Sequence, residues 1–367
     1  MAAARPIVNL GGAAVIISRT PFRISFFGGG TDYPAWYRRY GGRVLATAID
    51  KYCYITCRYL PPFFEHRIRV VYAKTENCQT VGEIAHPVVR EVLRYLQVDR
   101  GVEIHHDGDL PARSGMGTSS AFTVGLLHAL HALKGAMLSK KQLARESIYI
   151  EQEVLKETVG AQDQVLSAYG GFNRIAFHPD GEITVEPVTL APDRLQELAG
   201  HLMLFFTGLT RTASEIAEGY VRDVERAAAR LRALGDMVDE GLSILNRSDD
   251  IALFGKLLHE AWQAKRGLSP DVSNGDVEAI YQAARSAGAI GGKLVGAGGG
   301  GFMLLFVPPA RRQKVREALH RLLHVPFKFA SAGSQIIFFD VEEDYADEDR
   351  IRSAQELAAF RELTSRS

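Results

Sequence analysis

The sequence predicts an α+β protein of two domains, built from layered sheets and helices, and three observations carry that prediction. Its 367 residues exceed what one hydrophobic core of ordinary size organises. Through the first half, β-branched and aromatic runs alternate with segments of helical period. Beyond about residue 200 helical periodicity dominates, interrupted by short apolar strands. Composition agrees, since 46% hydrophobic and 23% charged residues belong to a globular chain and exclude disorder, collagen and coiled coil as readings of the whole. Lys plus Arg number 43 and Asp plus Glu 43, for a formal net charge of zero. No broad field therefore favours nucleic acid or an anionic membrane, and an anionic ligand has to be held locally.

Taken in order, residues 1–17 form an N-terminal extension whose glycine-broken apolar run is a poor signal peptide, so the expected location is cytoplasmic. No apolar stretch approaches the ~20 residues that span a bilayer. ISRTPFRISF reads as a strand leading into the glycine turn Gly28–Asp32, and Val44–Leu60 as a further β run. Helical spacing marks 87–96, 121–133 and 140–156, with a strand at 101–110 between the first two. FNRIAF and ITVEPV suggest a hairpin around Pro179-Asp180-Gly181. A boundary near 190–200 separates an N-terminal domain, 18–195, from a C-terminal one, 196–340. The latter holds a buried strand at HLMLFF, helical stretches over 213–247, 251–264 and 277–287, and an apolar strand after a glycine loop. The charged tail, 341–367, reads as a surface helix or disordered. Cys53, Cys57 and Cys78 lack metal-ligand spacing and are expected as buried free thiols.

Chemistry concentrates in four places. In LPARSGMGTSSA, glycines 115 and 117 permit close backbone approach, and the amides of Thr118, Ser119 and Ser120 fall at a helix N-terminus, which favours a phosphate. The alternative is a tight turn with an ordinary Ser/Thr helix cap. No Lys follows the glycines, so this is not a Walker A loop. GGGTD follows a strand bearing Arg23, and Asp32 is placed either to accept hydrogen bonds from a polyol or to cap the next helix. VGAGGGGF, 295–302, either lets layers pack tightly or frames a substrate. Near the phosphate loop, Glu151 and Asp163 could divide labour, one binding Mg²⁺ and the other taking a proton from an attacking hydroxyl, although most acids of 140–156 must face solvent.

Together, RTPFRISFFGGGTD, DLPARSGMGTSSA and GGKLVGAGGGGF, in that order, resemble the three motifs of the GHMP kinases, over about residues 18–340. GAQDQVLSAYGGFN and TGLTRTASEI are most similar to the branch acting on D-glycero-D-manno-heptose 7-phosphate. The resemblance implies two domains with the active site between them, the N-terminal one S5-like, and ATP and Mg²⁺ as cofactors. Ser114, Gly115, Met116, Gly117, Thr118, Ser119 and Ser120 would cradle ATP phosphates. Ser120 and Glu151 would hold the metal, with Gln152 or Glu153 selected instead if the alignment slips. Asp163 would be the catalytic Asp, acting as base, with Arg23 beside it. Asp32 would bind sugar hydroxyls, together with Gly29, Gly30 and Gly299. Gly30 stands where galactokinases carry a His, which argues against a galactokinase-type pocket. A phosphorylated substrate needs cations, for which Lys51, Arg174 and Arg211 are candidates. The implied reaction is transfer to the anomeric hydroxyl of the heptose phosphate. Alternatives are a kinase of free fucose or galactose, or a non-catalytic sugar and nucleotide sensor. A small-molecule substrate is the expected partner, with neither nucleic acid nor membrane, for a monomer or homodimer.

Overall fold

Alternating apolar positions draw the start of the chain into one long antiparallel pair. In the computed structural model, which describes residues 13–112, 114–209, 219, 224–247, 250–342, 344–356 and 358, β1 (Ala13–Phe27) pairs with β2 (Gly42–Tyr59) from Val15↔Arg58 to Phe27↔Leu45. The glycine turn and α1 (Pro34–Tyr40) connect them. β2 is long enough to serve two neighbours. Its second part pairs with β5 (Val102–Gly108) and its first with β6 (Phe172–Phe177), which returns as the expected hairpin to β7 (Ile183–Pro187). Two short strands that the sequence did not announce, β3 (Ile68–Val71) and β4 (Thr75–Cys78), extend the sheet beyond β5. On the other flank β12 (Gln335–Glu342) pairs with β1, so a strand distant in sequence completes an eight-stranded sheet.

Helices α2 (Pro87–Tyr95), α3 (Thr118–Leu133), α4 (Lys140–Tyr149) and α5 (Gln162–Tyr169) cover this sheet. α3 lies on β1 and β2 beneath the others, and Phe122, Val124, Leu126, Leu127, Leu130 and Leu133 are all buried. A helix apolar on every side has to sit inside a layer, not on its surface. The segment expected as a helix to residue 156 leaves α-helical geometry at Tyr149 and continues as a π turn, Ile150–Val154.

After α6 (Pro192–His201) the chain enters a second sheet. Its order is β11 (Leu323–His324), β8 (Leu202–Phe206), β10 (Phe302–Phe306), β9 (Gly291–Leu294), all antiparallel. Leu204, Leu304 and Phe306 join the main core, where Phe254 meets Phe26 and Phe27 edge-on at 5.5 and 5.0 Å. Met203, Phe205, Met303 and Leu305 turn the other way, toward Trp262 and Tyr281. Burial on both faces explains the unbroken apolar run of β10. Helices α7 (Val224–Asn246), α8 (Ala252–Arg266), α9 (Gly275–Ser286) and α10 (Arg312–Ala318) belong to this half. The tail expected to begin after Asp340 first completes β12, then forms α11 (Ala346–Ser353), tied back by an Arg67–Asp349 ion pair at 2.9 Å. All three cysteines are buried and free, as expected. Among the described residues no helix is long and apolar enough to cross a membrane.

Candidate active site

β1 and the first turn of α5 bring Arg23 and Asp163 together. The Arg23 guanidinium donates from Nε to Oδ1 and from Nη2 to Oδ2, both at 2.6 Å, and from Nη1 to the Gly115 carbonyl at 2.8 Å. This planar two-point geometry is one that only Arg supplies. The Arg23 side chain is buried, whereas Asp163 remains 22% exposed, so the carboxylate reaches solvent while its orientation is fixed from behind.

Asp32 is also buried. Its Oδ1 accepts from the Gly30 amide at 2.9 Å and its Oδ2 from the Gln162 amide at 3.4 Å, and its carbonyl accepts from Ala161 at 3.0 Å. It does not cap α1, whose cap position is Tyr33 without a side-chain bond. Burial raises its carboxyl above the usual range, and the charge of Asp163 adds to the rise. A Cβ at Gly160 would stand 1.9 Å from Oδ2, so only glycine fits against this carboxylate.

The loop between Ser114 and Ser120 leads into α3. Gly117 is the cap residue, in left-handed conformation at φ 72°, with no side-chain cap. The ordinary Ser/Thr-cap reading therefore fails. Thr118, Ser119 and Ser120 lie within the first turn, where amides lack intrahelical acceptors and the helix dipole is positive. Asp163 faces this terminus, its Oδ2 being 3.1 Å from where a Gly117 Cβ would stand. From behind, the second glycine loop packs backbone on backbone, since a Cβ at Gly301 would be 2.1 Å from the Ser114 carbonyl and one at Gly296 2.5 Å from that of Gly115. Of the two readings of VGAGGGGF, tight packing is the visible one. Gly299 spends its amide on Val272 at 2.9 Å and its carbonyl on Asn274 at 3.1 Å.

Behind the helix terminus, Ser120 Oγ donates to Glu151 Oε2 at 2.9 Å and Gln164 Nε2 donates to the same oxygen at 2.5 Å, while Oε1 has no partner. Glu151 is 1% exposed, and burial pushes its carboxyl up to about 7 against the hydrogen bonds of Ser120 and Gln164. The π turn aims it inward. Its neighbours point elsewhere: Gln152 donates to the Val159 carbonyl, and exposed Glu153 pairs with Lys156 at 3.1 Å. An orphaned carboxylate oxygen beside a hydroxyl is a hard oxygen donor set that suits Mg²⁺. No group of three or more potential His, Cys, Asp or Glu ligands exists among the described residues.

The remaining candidates are placed differently. Gly29 lies beside Ser25 and Gln162, and Gly30 beside Leu231 and Leu268. Lys51 donates to the carbonyl and carboxylate of Asp50 at 3.0 and 3.2 Å. Arg174 pairs with Glu186 at 2.8 Å and Asp239 at 3.3 Å, lining a cavity of about 450 Å³ with Trp36, Arg43 and His178. Among the described residues no hydrogen bond or ion pair ties Lys51 or Arg174 to Asp32 or Asp163. Arg211 lies outside the described residues. Two buried lysines were not anticipated. Lys265 of α8 donates to the Gly296 carbonyl, and Lys293 of β9 to that of Phe26 at 2.9 Å. Lys265 continues the buried stripe Leu258, Ala261, Trp262, and a Lys at an apolar position was the available signal.

The GHMP kinases N terminal domain family matches residues 83–171 and the GHMP kinases C terminal family residues 243–325. A Campylobacter jejuni protein named D-glycero-alpha-D-manno-heptose 7-phosphate kinase is 30% identical over 318 residues, 83% of this chain and 93% of its own. A bifunctional fucokinase/GDP-fucose pyrophosphorylase of Arabidopsis thaliana is 26% identical over 82% of this chain but 30% of its own length. Among solved structures, a D-glycero-D-manno-heptose 1-phosphate kinase from Bacteroides thetaiotaomicron matches with TM-score 0.71 and 25% identity, over 87% of this chain and 98% of its own. With family matches in both halves and a relative this similar along nearly its whole length, the chain belongs to the GHMP kinases and is an ATP-dependent sugar kinase.

Proposed function

We propose that the protein transfers the γ-phosphoryl group of ATP to the anomeric hydroxyl of D-glycero-D-manno-heptose 7-phosphate, giving the 1,7-bisphosphate. The observation that carries the transfer is the Arg23–Asp163 pair, fixed at 2.6 Å against the amide-bearing start of α3. The heptose phosphate rests on the named relatives. Amides from Ser114 to Ser120 hold the nucleotide phosphates, and Ser120 and Glu151 hold Mg²⁺. When bound, that ion supplies charge neutralisation at the phosphate oxygens. Asp163 orients the acceptor hydroxyl and takes its proton, and Arg23 fixes the carboxylate that does so. Asp32, Gly29, Gly30 and Gly299 line the acceptor side. Residues 18–195 and 196–340 serve as the two domains, in a cytoplasmic enzyme.

Arg174 would have to leave Glu186 and Asp239 to take a substrate phosphate, and Lys51 to leave Asp50. Those occupied cations, with the fucokinase relative, favour phosphorylation of free fucose as the second reading. ATP consumption coupled to phosphorus NMR of the product decides. Heptose 7-phosphate, heptose 1-phosphate, fucose, galactose and mannose are supplied in turn. Turnover confined to heptose 7-phosphate, with a new phosphate at C1, is expected. Turnover on fucose alone replaces the substrate, and binding without turnover removes the reading.

A further inference from the structure

Lys265 is a buried charge for which the reaction as described has no use. Its side chain runs from α8 into the interior, where the residue is 5% exposed, and among the described residues its one hydrogen-bond acceptor is the Gly296 carbonyl. An ammonium has three N–H donors, so one bonded to a single carbonyl can also donate to a ligand oxygen. Its acceptor Gly296 packs against Gly115, whose carbonyl takes an N–H of Arg23, and the charges of Arg23 from β1, Asp32 from the glycine turn and Asp163 from α5 all act on the ammonium. Lys293 faces it from β9. The end of α8 also has Arg230 of α7 beside Gly267, and Asp271 on the turn that follows, where Ser269 holds its carboxylate at 3.3 Å.

Arg23 is already spent, and Lys293 is held at Phe26, next to the last residue of β1. Arg23 lays its fork on both oxygens of Asp163 and a third N–H on Gly115, so its charge has a partner. Lys293 donates to the Phe26 carbonyl at 2.9 Å, and burial, with Lys265 and Arg23 nearby, pushes it well below the usual lysine range. Lys265 is tied instead to Gly296, in the glycine loop that packs against Gly115.

Resting on the phosphoryl-transfer reading, we propose that Lys265 is a catalytic residue whose ammonium donates to a non-bridging oxygen of the phosphoryl group in flight. In that step the bond from the γ-phosphorus to the β–γ bridging oxygen of ATP breaks, and the bond to the sugar oxygen forms. The bridging oxygen leaves with the electron pair on ADP, the hydroxyl proton goes to Asp163, and Lys265 keeps its proton. A donor aimed at charge that grows in the transition state acts on kcat more than on KM. Burial and Arg23 bring its own titration down to about 8, so the required proton is lost just above neutrality.

The test uses full-length protein with the acceptor that wild type turns over. Lys265→Met should lower kcat roughly 10²–10³-fold with KM for ATP and sugar within about threefold. In wild type kcat/KM should fall as pH rises through about 8, and in Lys265→Arg, which retains the charge, this alkaline limb should be lost or moved upward. A Met variant within threefold of wild-type kcat, a loss confined to the KM of a phosphorylated sugar, or an unmoved alkaline limb in the Arg variant would each overturn the assignment. If Met does not fold, the Arg variant's limb decides alone. Wild type without turnover on any sugar refutes the transfer reading, whereas an active wild type with an indifferent Lys265 refutes only this inference.

Discussion

Asp163 carries two duties on one carboxylate, because the oxygens that face the acceptor are the same ones that satisfy Arg23. Asp163→Asn keeps the shape, removes the base and leaves the guanidinium facing an amide. Expected are a kcat lower by ~10²–10⁴-fold with little change in KM and a loss of roughly 1–3 kcal/mol in stability. The loss is less than for a sealed pair, since Asp163 keeps contact with solvent. Near-normal turnover would eliminate it as the base. Lys265 makes the opposite prediction about stability. Its ammonium titrates at about 8 when folded against 10.5 ordinarily, so between those values the unfolded chain holds a proton that the folded chain has lost. Folding is penalised fully below about pH 8, and the penalty is relieved as pH climbs toward 10.5. The urea midpoint of wild type, measured against that of Lys265→Met, should therefore rise over that window; a flat difference would show that the lysine is not strained by burial. Arg23 and Asp163 were legible because each sits beside a glycine motif whose spacing carries meaning. Lys265 is easily passed over, because a Lys in the last turn of an amphipathic helix reads as an ordinary dipole partner in water unless its place on the stripe of Leu258, Ala261 and Trp262 is weighed.

At the level of elements, the two glycine loops act as one object. Gly301 has φ 99° and no space for a side chain before the Ser114 carbonyl. Gly301→Ala should therefore cost at least about 2 kcal/mol from backbone strain alone, read as a lower melting temperature. The displaced Ser114–Gly117 backbone should also raise KM for ATP above that for sugar. Gly160→Ala separates the effects, since its Cβ strikes Asp32 and not the loop, and should raise KM for the sugar instead. An identical pattern in both variants would show general damage. The strands, the helices and the hairpin at Gly181 were readable from periodicity and turn residues. The π turn was not, because nothing local distinguishes IEQEV from a fourth helical turn; the carboxylate of Glu151 reaching Ser120 and Gln164 accompanies the irregularity. β3 and β4 escaped because four polar-flanked residues carry too little alternation to register.

For the molecule as a whole, the two halves are joined at more than the linker near residue 190. Phe254 of the second half packs on Phe26 and Phe27 of the first, Lys293 bonds Phe26, and β12 completes the first sheet. A chain ending at Glu342 keeps every strand and should fold with a lower melting temperature from loss of the Arg67–Asp349 contact. A chain ending at Ser334 lacks β12, leaves one side of β1 unpaired and should accumulate as aggregate. Comparable soluble yields from both would refute the closing role of this strand. No local pattern could have revealed it, since the pairing Ile16↔Phe339 joins opposite ends of the sequence.

That pairing also has a history during synthesis. β1 meets β2 almost at once, whereas its other neighbour is translated only after both glycine loops, the second sheet and α7 to α10. At ~5–20 residues per second the interval is tens of seconds. Throughout it, the strand that bears Arg23 presents an open backbone edge to its surroundings. A nascent chain stalled within that interval therefore carries half of its reacting centre on a sheet that is not yet closed.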